Sequence, residues 1–372
     1  MAYINDMKTE EYIDSKCPNC GSTLVFVAGS RQTQCVSCDS TFDIESLGTG
    51  KLDHLETNYA ETVSKLVNQN QKVAFQRVIH CEDCGGLINL NPHTISTECP
   101  FCGSKRVVEE NKEEEIINIA GIIPFIITEK EVKENYKKWI KRKMFAPSKL
   151  KKGKISPKYS GVYIPFYTFD SETFSKYTAW RGDYYYTYRT VKTKNGTRTE
   201  RVRHTRWTFR SGNININFDD LLIVGTNNPL NNYIRKIDDF NFTTMEVYQE
   251  QFMLGYYAEK PSISLENGFS NAKEEMKRQI RNACVRDIGG DTYRDLKFTT
   301  QYSNVTFKQI MAPIYNGYLS YNNKKFNFVC NGQTGKFSGK YPISPIKIVL
   351  FVLSILIVVI LIIILIYSFY NS

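Results

Sequence analysis

Eight of the ten cysteines stand in pairs: Cys17 and Cys20, Cys35 and Cys38, Cys81 and Cys84, Cys99 and Cys102. Each group of four reads C-x2-C, fourteen residues, C-x2-C, and the second group repeats the first 64 residues later. Two thiolates on one C-x2-C turn take one side of a metal ion. A second turn, returned by a short hairpin, completes a tetrahedron. The spacing predicts two four-thiolate sites, one zinc ion in each, on a duplicated module. An iron–sulfur cluster or mononuclear iron could use the same donors. Disulfides would need an oxidising compartment, and pairs that recur in matched fours argue against a redox dithiol. Four protein ligands leave no open position for water or substrate, so the expected role is structural, with metal binding supplying folding energy. Cys284 and Cys330 stand singly in apolar surroundings and read as buried free thiols.

The elements that must position these thiolates are short. Gly21, Gly85 and Gly103 follow a knuckle and relieve its turn, and Pro18 and Pro100 pre-set its backbone. Residues 23–34 and 87–98 carry strand formers around turn residues, as a ribbon hairpin requires. The expected organisation is multidomain: a small β zinc ribbon at 12–45, a linking helix at 46–75, a second ribbon at 76–108, and an acidic linker at 109–117. An α+β domain with an antiparallel sheet follows at 118–342, then a transmembrane helix at 346–368. In the linking segment Leu52, Leu55, Tyr59, Val63 and Leu66 recur at helical spacing. In the large domain Thr128 and Glu131 form a capping box before a helix. The segment 163–167 reads as a strand with Pro165 at an edge or bulge. Asn195-Gly196 marks a hairpin. A helix is expected at 268–287, capped by Asn271 and Glu274 and stopped at Gly289-Gly290. Separate strands are expected at 305–308, 315–321, 325–329 and 336–339.

Mean hydropathy is −0.36, which excludes a multi-span membrane protein but conceals one span. From Ile348 to Ile366 only Ser354 is polar. Such a helix reaches roughly 28 Å, the thickness of a bilayer's hydrocarbon layer. Tyr367, Phe369 and Tyr370 follow, where interfacial aromatics belong. Lys336, Lys340 and Lys347 precede it, which by the positive-inside rule predicts a single-pass protein of the cell membrane with its bulk in the cytoplasm. The first residues contain no apolar signal-peptide core, so the expectation is a tail anchor.

The net charge is +10, with 48 Lys and Arg against 38 Asp and Glu. The excess lies in two stretches. One follows the capping box and includes Lys137, Lys138, Lys141, Arg142 and Lys143. The other is the hairpin with Arg198, Arg201, Arg203 and Arg206. Three uses compete: a solvated surface, contact with anionic lipid, and nucleic-acid binding in which neighbouring tyrosines stack on bases. A membrane tether already concentrates the domain beside lipid, which ranks lipid ahead of nucleic acid.

Catalytic signatures are missing. Gly48-Thr49-Gly50-Lys51 and Gly332-Gln333-Thr334-Gly335-Lys336 lack the first glycine of a P-loop and the Ser or Thr after its lysine. No zinc-protease, nucleophile-elbow or dinucleotide fingerprint occurs, and the four histidines are isolated. The expectation is no enzyme and no small-molecule substrate.

In order along the chain stand the paired ribbons, Phe145-Ala146-Pro147-Ser148, Tyr163-Ile164-Pro165-Phe166 with Phe169-Asp170, and Phe218-Asp219-Asp220. Ile288-Gly289-Gly290-Asp291, Val305-Thr306-Phe307-Lys308, Asn331 to Lys336 and the terminal span follow. Together they resemble the bacterial membrane-anchored proteins labelled TFIIB-type zinc ribbon-containing. Members are often labelled primosomal protein N′ or replication-factor-Y-like helicases, a label the ribbons alone explain. Without a nucleotide-binding motif the resemblance does not imply helicase activity here. The expected function is a non-enzymatic, membrane-tethered adaptor that recruits cytosolic proteins to the membrane, and the alternative is a membrane-tethered nucleic-acid-binding protein. Relatives associated with phage-shock-protein-A-type stress systems suggest that kind of partner. Asp39 departs from the pattern, standing where the other three knuckles have glycine.

Overall fold

The computed structural model describes residues 16–68, 74–83, 85–89, 99, 101, 103–114, 117–193 and 196–371. The first module is an antiparallel meander of β1 (Leu24–Phe26), β2 (Gln32–Cys35) and β3 (Thr41–Asp43). It is docked rather than free. The Phe26 N–H donates to the Leu254 carbonyl at 2.9 Å and the Gly29 N–H to the Phe125 carbonyl at 2.8 Å. Phe26 meets Phe252 edge-on at 5.4 Å.

The linking segment is not one helix. Leu52 is buried in the left-handed conformation at φ 55, a 3-10 turn covers Asp53–Leu55, and β4 (Thr57–Asn58) pairs with a strand from far along the chain. Among the described residues of this segment only α1 (Tyr59–Asn68) is α-helical, begun by the Asn58 side chain accepting from the Glu61 N–H at 3.1 Å. Helical spacing continues through residues 52–58, but tertiary pairing overrides it. Tyr59, Val63 and Leu66 pack on the large domain.

The second module contains β5 (Ala74–Cys81), β6 (Leu87–Asn89) and β7 (Val107–Glu114). The acidic run expected as a linker is strand β7, paired antiparallel with β5 from Ala74↔Glu114 to Cys81↔Val107. A glutamate-rich strand is disfavoured by propensity and formed here by pairing.

The remaining chain forms β8 (Ile119–Ile122), α2 (Glu129–Lys141), α3 (Ser148–Lys151), β9 (Lys158–Thr193), β10 (Gly196–Val224), α4 (Asn231–Ile234), β11 (Glu246–Val247), β12 (Tyr257–Glu259), α5 (Leu265–Ile288), β13 (Thr292–Tyr321), β14 (Lys324–Asn331), β15 (Phe337–Gly339) and α6 (Pro345–Asn371). Among the described residues one twelve-stranded sheet runs β11-β8-β13-β9-β12-β6-β5-β7, with β4, β10, β14 and β15 attached. The second module therefore shares the large domain's sheet, through β6 and β12. The pairing is mostly antiparallel, with β8 on β13 and β12 on β9 parallel.

Three strands dominate. β9 pairs with β10 on one edge and β13 on the other. The strands expected at 305–308 and 315–321 are parts of β13. Phe307 to Gly317 is buried throughout, so the alternation that marks a half-exposed strand is lost there. Three register shifts bend these strands, and each has a left-handed Asp or Asn: Asp220, Asp295 and Asn304. Asn322-Asn323, both left-handed, make the tight turn from β13 to β14. Pro165 sits where β9 exchanges β12 at Tyr163 for β10 at Phe166, and its carbonyl accepts from the Gly225 N–H at 2.9 Å.

Helix α5 starts earlier than residue 268. Ser264 caps it, accepting from the Asn267 N–H, so Asn271 and Glu274 lie within the helix. Ala272, Met276, Ile280 and Cys284 face Tyr167, Phe169, Tyr177 and Ala179 of β9. Cys284 and Cys330 are buried free thiols, as expected. Helix α6 has a 25-residue stretch, Pro345–Phe369, long and apolar enough to cross a membrane, whose most apolar 18 residues include none that the rest of the chain buries. Ser354, the one polar residue from Ile348 to Ile366, is satisfied internally, its Oγ donating to the Phe351 carbonyl at 2.7 Å.

Candidate functional site

The first cysteine cluster assembles from two knuckles. Each knuckle repeats one backbone pattern: the first cysteine's N–H donates to the carbonyl five residues on, and its carbonyl accepts from the N–H four residues on. Cys17 does this with Ser22 and Gly21, and Cys35 with Ser40 and Asp39. The fourth-residue position is left-handed in both, φ 70 at Gly21 and φ 58 at Asp39. Asp39 thus takes the glycine conformation, which short polar side chains tolerate better than others.

The four sulfurs lie within 4.8 Å of one another. Cys17 Sγ is 3.6 Å from Cys38 Sγ, and Cys20 Sγ is 3.4 Å from Cys35 Sγ. Thiolates bound tetrahedrally at about 2.3 Å would stand roughly 3.8 Å apart, so the donors fit one metal ion. The surroundings act differently on the four thiols: at Cys20 the Ser22 backbone N–H is outweighed by the thiols of Cys35 and Cys38, which raise it to about 12, while Cys35 and Cys38 are lowered. The Ser37 N–H points at Cys35 Sγ at 3.4 Å. The Ser40 side chain and backbone pull the Cys38 thiol down from 9.0 to about 6.

The second cluster is described in part, since Cys84 and Cys102 lie outside the described residues. Its backbone follows the same pattern. Cys81 bonds Gly86 and Gly85, Cys99 bonds Ser104 and Gly103, and Gly85 and Gly103 are left-handed. Cys81 and Cys99 are buried.

The basic candidates separate into two places. Lys137, Lys138 and Lys141 stand exposed on α2, with Arg142 and Lys143 at its end. The Lys143 ammonium lies over Trp139 and Tyr341 at 5.1 and 5.5 Å. This shoulder holds the base of α6. The Ser344 N–H donates to the Phe145 carbonyl at 2.8 Å, Lys347 Nζ donates to the Ala146 carbonyl at 2.6 Å, and Phe145 meets Phe351 at 5.4 Å. Arg198, Arg201, Arg203 and Arg206 lie on β10, in the ribbon it forms with β9.

One ionic cluster carries no signal in the sequence beyond its motif residues. Lys308 has no exposed side-chain surface. Its Nζ is 3.0 Å from Asp220 Oδ1 and from Glu56 Oε1, and it donates to the Lys51 carbonyl at 3.0 Å. Burial opposes the ammonium, and Asp220 and Glu56 outweigh it, so its pKa is raised. Thr306 donates to Glu56 at 2.8 Å and to Asp170 at 3.2 Å, and the Asp220 N–H also reaches Asp170. Burial, with Glu56 and Asp220 alongside, pushes Asp170 up to about 6. Lys51, of the phosphate-loop look-alike, pairs with Asp219 at 2.5 Å. The cluster ties the segment after the first module to the bulge of β10.

The chain is 25% identical over 347 residues to the uncharacterized protein YdjG of Bacillus subtilis (strain 168), covering 90% of this chain and 92% of that protein. No family model matches the chain, and no solved structure matches it.

Proposed function

We propose that this chain is a non-enzymatic, membrane-tethered zinc-ribbon adaptor. In this reading α6 spans the cell membrane once and the bulk of the chain faces the cytoplasm. One zinc ion fills the Cys17, Cys20, Cys35 and Cys38 site, and a second fills Cys81, Cys84, Cys99 and Cys102. The observation that carries it is the seating of α6. Ser344 and Lys347, at the start of the apolar helix, are bonded to the Phe145 and Ala146 carbonyls of the loop that follows α2, the helix that carries Lys137, Lys138 and Lys141, with Arg142 at its end. Each such charge near an anionic leaflet contributes about 1 kcal/mol, so the shoulder fits a surface that orients the body. The first ribbon is pinned to the body through β1, while its Cys35–Cys38 knuckle faces outward with Val36 at 60% exposure. That knuckle is the part free to meet a cytosolic protein.

A photo-crosslinker placed at Val36 in native membranes tests this. The expected product joins the chain to one cytosolic protein whose membrane fraction falls when Cys35→Ser removes the ribbon's metal. Metal analysis should give two zinc ions per wild-type chain and one in that variant. A partner whose membrane association is indifferent to Cys35→Ser, or fewer than two ions per wild-type chain, defeats the reading.

A further inference from the structure

Beyond Gly182 the third strand of the dominant trio ends, because the last β13 pair is Thr292↔Gly182. From there β9 and β10 continue alone to the Thr193↔Gly196 pair as a two-stranded arm. Between residues 183 and 206 the sequence has seven Lys or Arg and two carboxylates. Pairing divides the described cations evenly between the two faces but puts both carboxylates on one of them, since paired residues share a face and the face alternates along each strand. One face has Tyr184, Tyr186 and Tyr188 beside Arg203 and Arg201, with Lys192 towards the tip and Trp180, Trp207 and Phe209 at the root. It has no Asp, Glu, Leu, Ile, Val or Met. Its other residues from Trp180 to Phe209 are threonines and Gly182. The opposite face has both carboxylates, and both are paired: Asp183 with Arg181 at 2.8 Å and Glu200 with Arg189 at 2.9 Å.

We infer that the Tyr184–Tyr188 and Arg201–Arg203 face of this arm is a binding track for single-stranded nucleic acid. The rings are presented to solvent, Tyr188 at 72% and Tyr186 at 44% exposure. The Arg201 guanidinium lies over the Tyr186 ring, 3.5 Å from its centroid, and Arg203 over Tyr184 at 4.4 Å. Alternating rings and guanidinium planes are what unpaired bases stack on, and the cations meet the phosphates between them. Same-face rings recur every two residues, about 6.8 Å, twice the 3.4 Å step per nucleotide. Duplex bases have no free faces for such rings. Lipid is a poor occupant by position. Tyr159, beside the α6 shoulder, and the arm stand towards opposite ends of β9 (Lys158–Thr193).

The test uses the full chain in nanodiscs of neutral phosphatidylcholine, with anisotropy of labelled oligothymidylate as readout. Binding is expected, weaker for a duplex of the same length. Tyr186→Ala with Tyr188→Ala should weaken it roughly a hundredfold, about tenfold per ring, while the paired Tyr→Phe variant binds as wild type. Arg201→Ala with Arg203→Ala should reduce the salt-dependence slope by about 1.4, or 0.7 per phosphate contact. Arg189→Ala with Glu200→Ala, on the other face, should stay within twofold. No binding, equal binding of duplex, or indifference to the tyrosine and arginine variants overturns the inference. So does a preference for anionic vesicles or an acidic protein that tracks the same residues.

Discussion

Asp39 shows how much one residue's conformation can carry. It occupies the left-handed position that glycine fills in the other three knuckles. A Cβ-bearing residue without a short polar side chain should be strained there by about 1 kcal/mol. Asp39→Ala is therefore expected to lower the stability of the first ribbon by that amount, and Asp39→Gly to leave it within about 0.5 kcal/mol. Chelator competition on the full chain measures both. The residue pattern made the candidate ligands legible: cysteines at C-x2-C spacing have few other uses, the backbone bonds of the four knuckles follow one pattern, and the sulfurs of Cys17, Cys20, Cys35 and Cys38 come together as a group that could hold one metal ion. What the spacing does not carry is the Lys308 cluster. Lys51, Glu56, Asp170, Asp220 and Lys308 are far apart in sequence and look individually like turn or surface residues.

That cluster belongs to the scale of elements, where it joins the segment before α1 to β10 and β13. Lys308→Met would leave Asp220 buried without its partner and is expected to cost about 3–5 kcal/mol, read as a drop in the thermal midpoint of the full chain in detergent. Asp170 gives a pH dependence. Its folded pKa of about 6 exceeds its ordinary 3.8, so its contribution to stability is present below about pH 4 and is lost as pH rises through 6. Glu56, whose pKa is lowered, acts in the opposite sense and remains in an Asp170→Asn variant. That variant should gain stability over wild type at pH 7.5 and show no gain at pH 4, measured by paired melting curves. Elements were legible where local signals act alone. The Thr128–Glu131 capping box forms as expected before α2. In Leu52–Asn58 and the acidic β7 the local signals do not prevail, because pairing with distant strands decides their conformation.

At the scale of the whole molecule, the two basic stretches part company. The α2–α3 shoulder is bonded to α6, while the arm lies at the far end of β9. Reversing charge at Lys137, Lys138 and Lys141 to Glu should sharply weaken association of the detergent-solubilised chain with anionic vesicles. Arg201→Ala with Arg203→Ala should leave that association unchanged. Vesicle co-flotation at low and high salt distinguishes the two, since surface charge contacts are screened.

The sequence by itself determined the thiolate knuckles, the nineteen-residue apolar span and the positions of basic charge, because these depend on residue type and short-range spacing. Tertiary structure alone decided that the second module shares the large sheet and that a lysine is buried among carboxylates. It also decided that one face of the β9–β10 arm collects rings and cations without acids. Those outcomes rest on register between strands distant in sequence, and a shift of one residue would have moved every side chain of the arm to the other face.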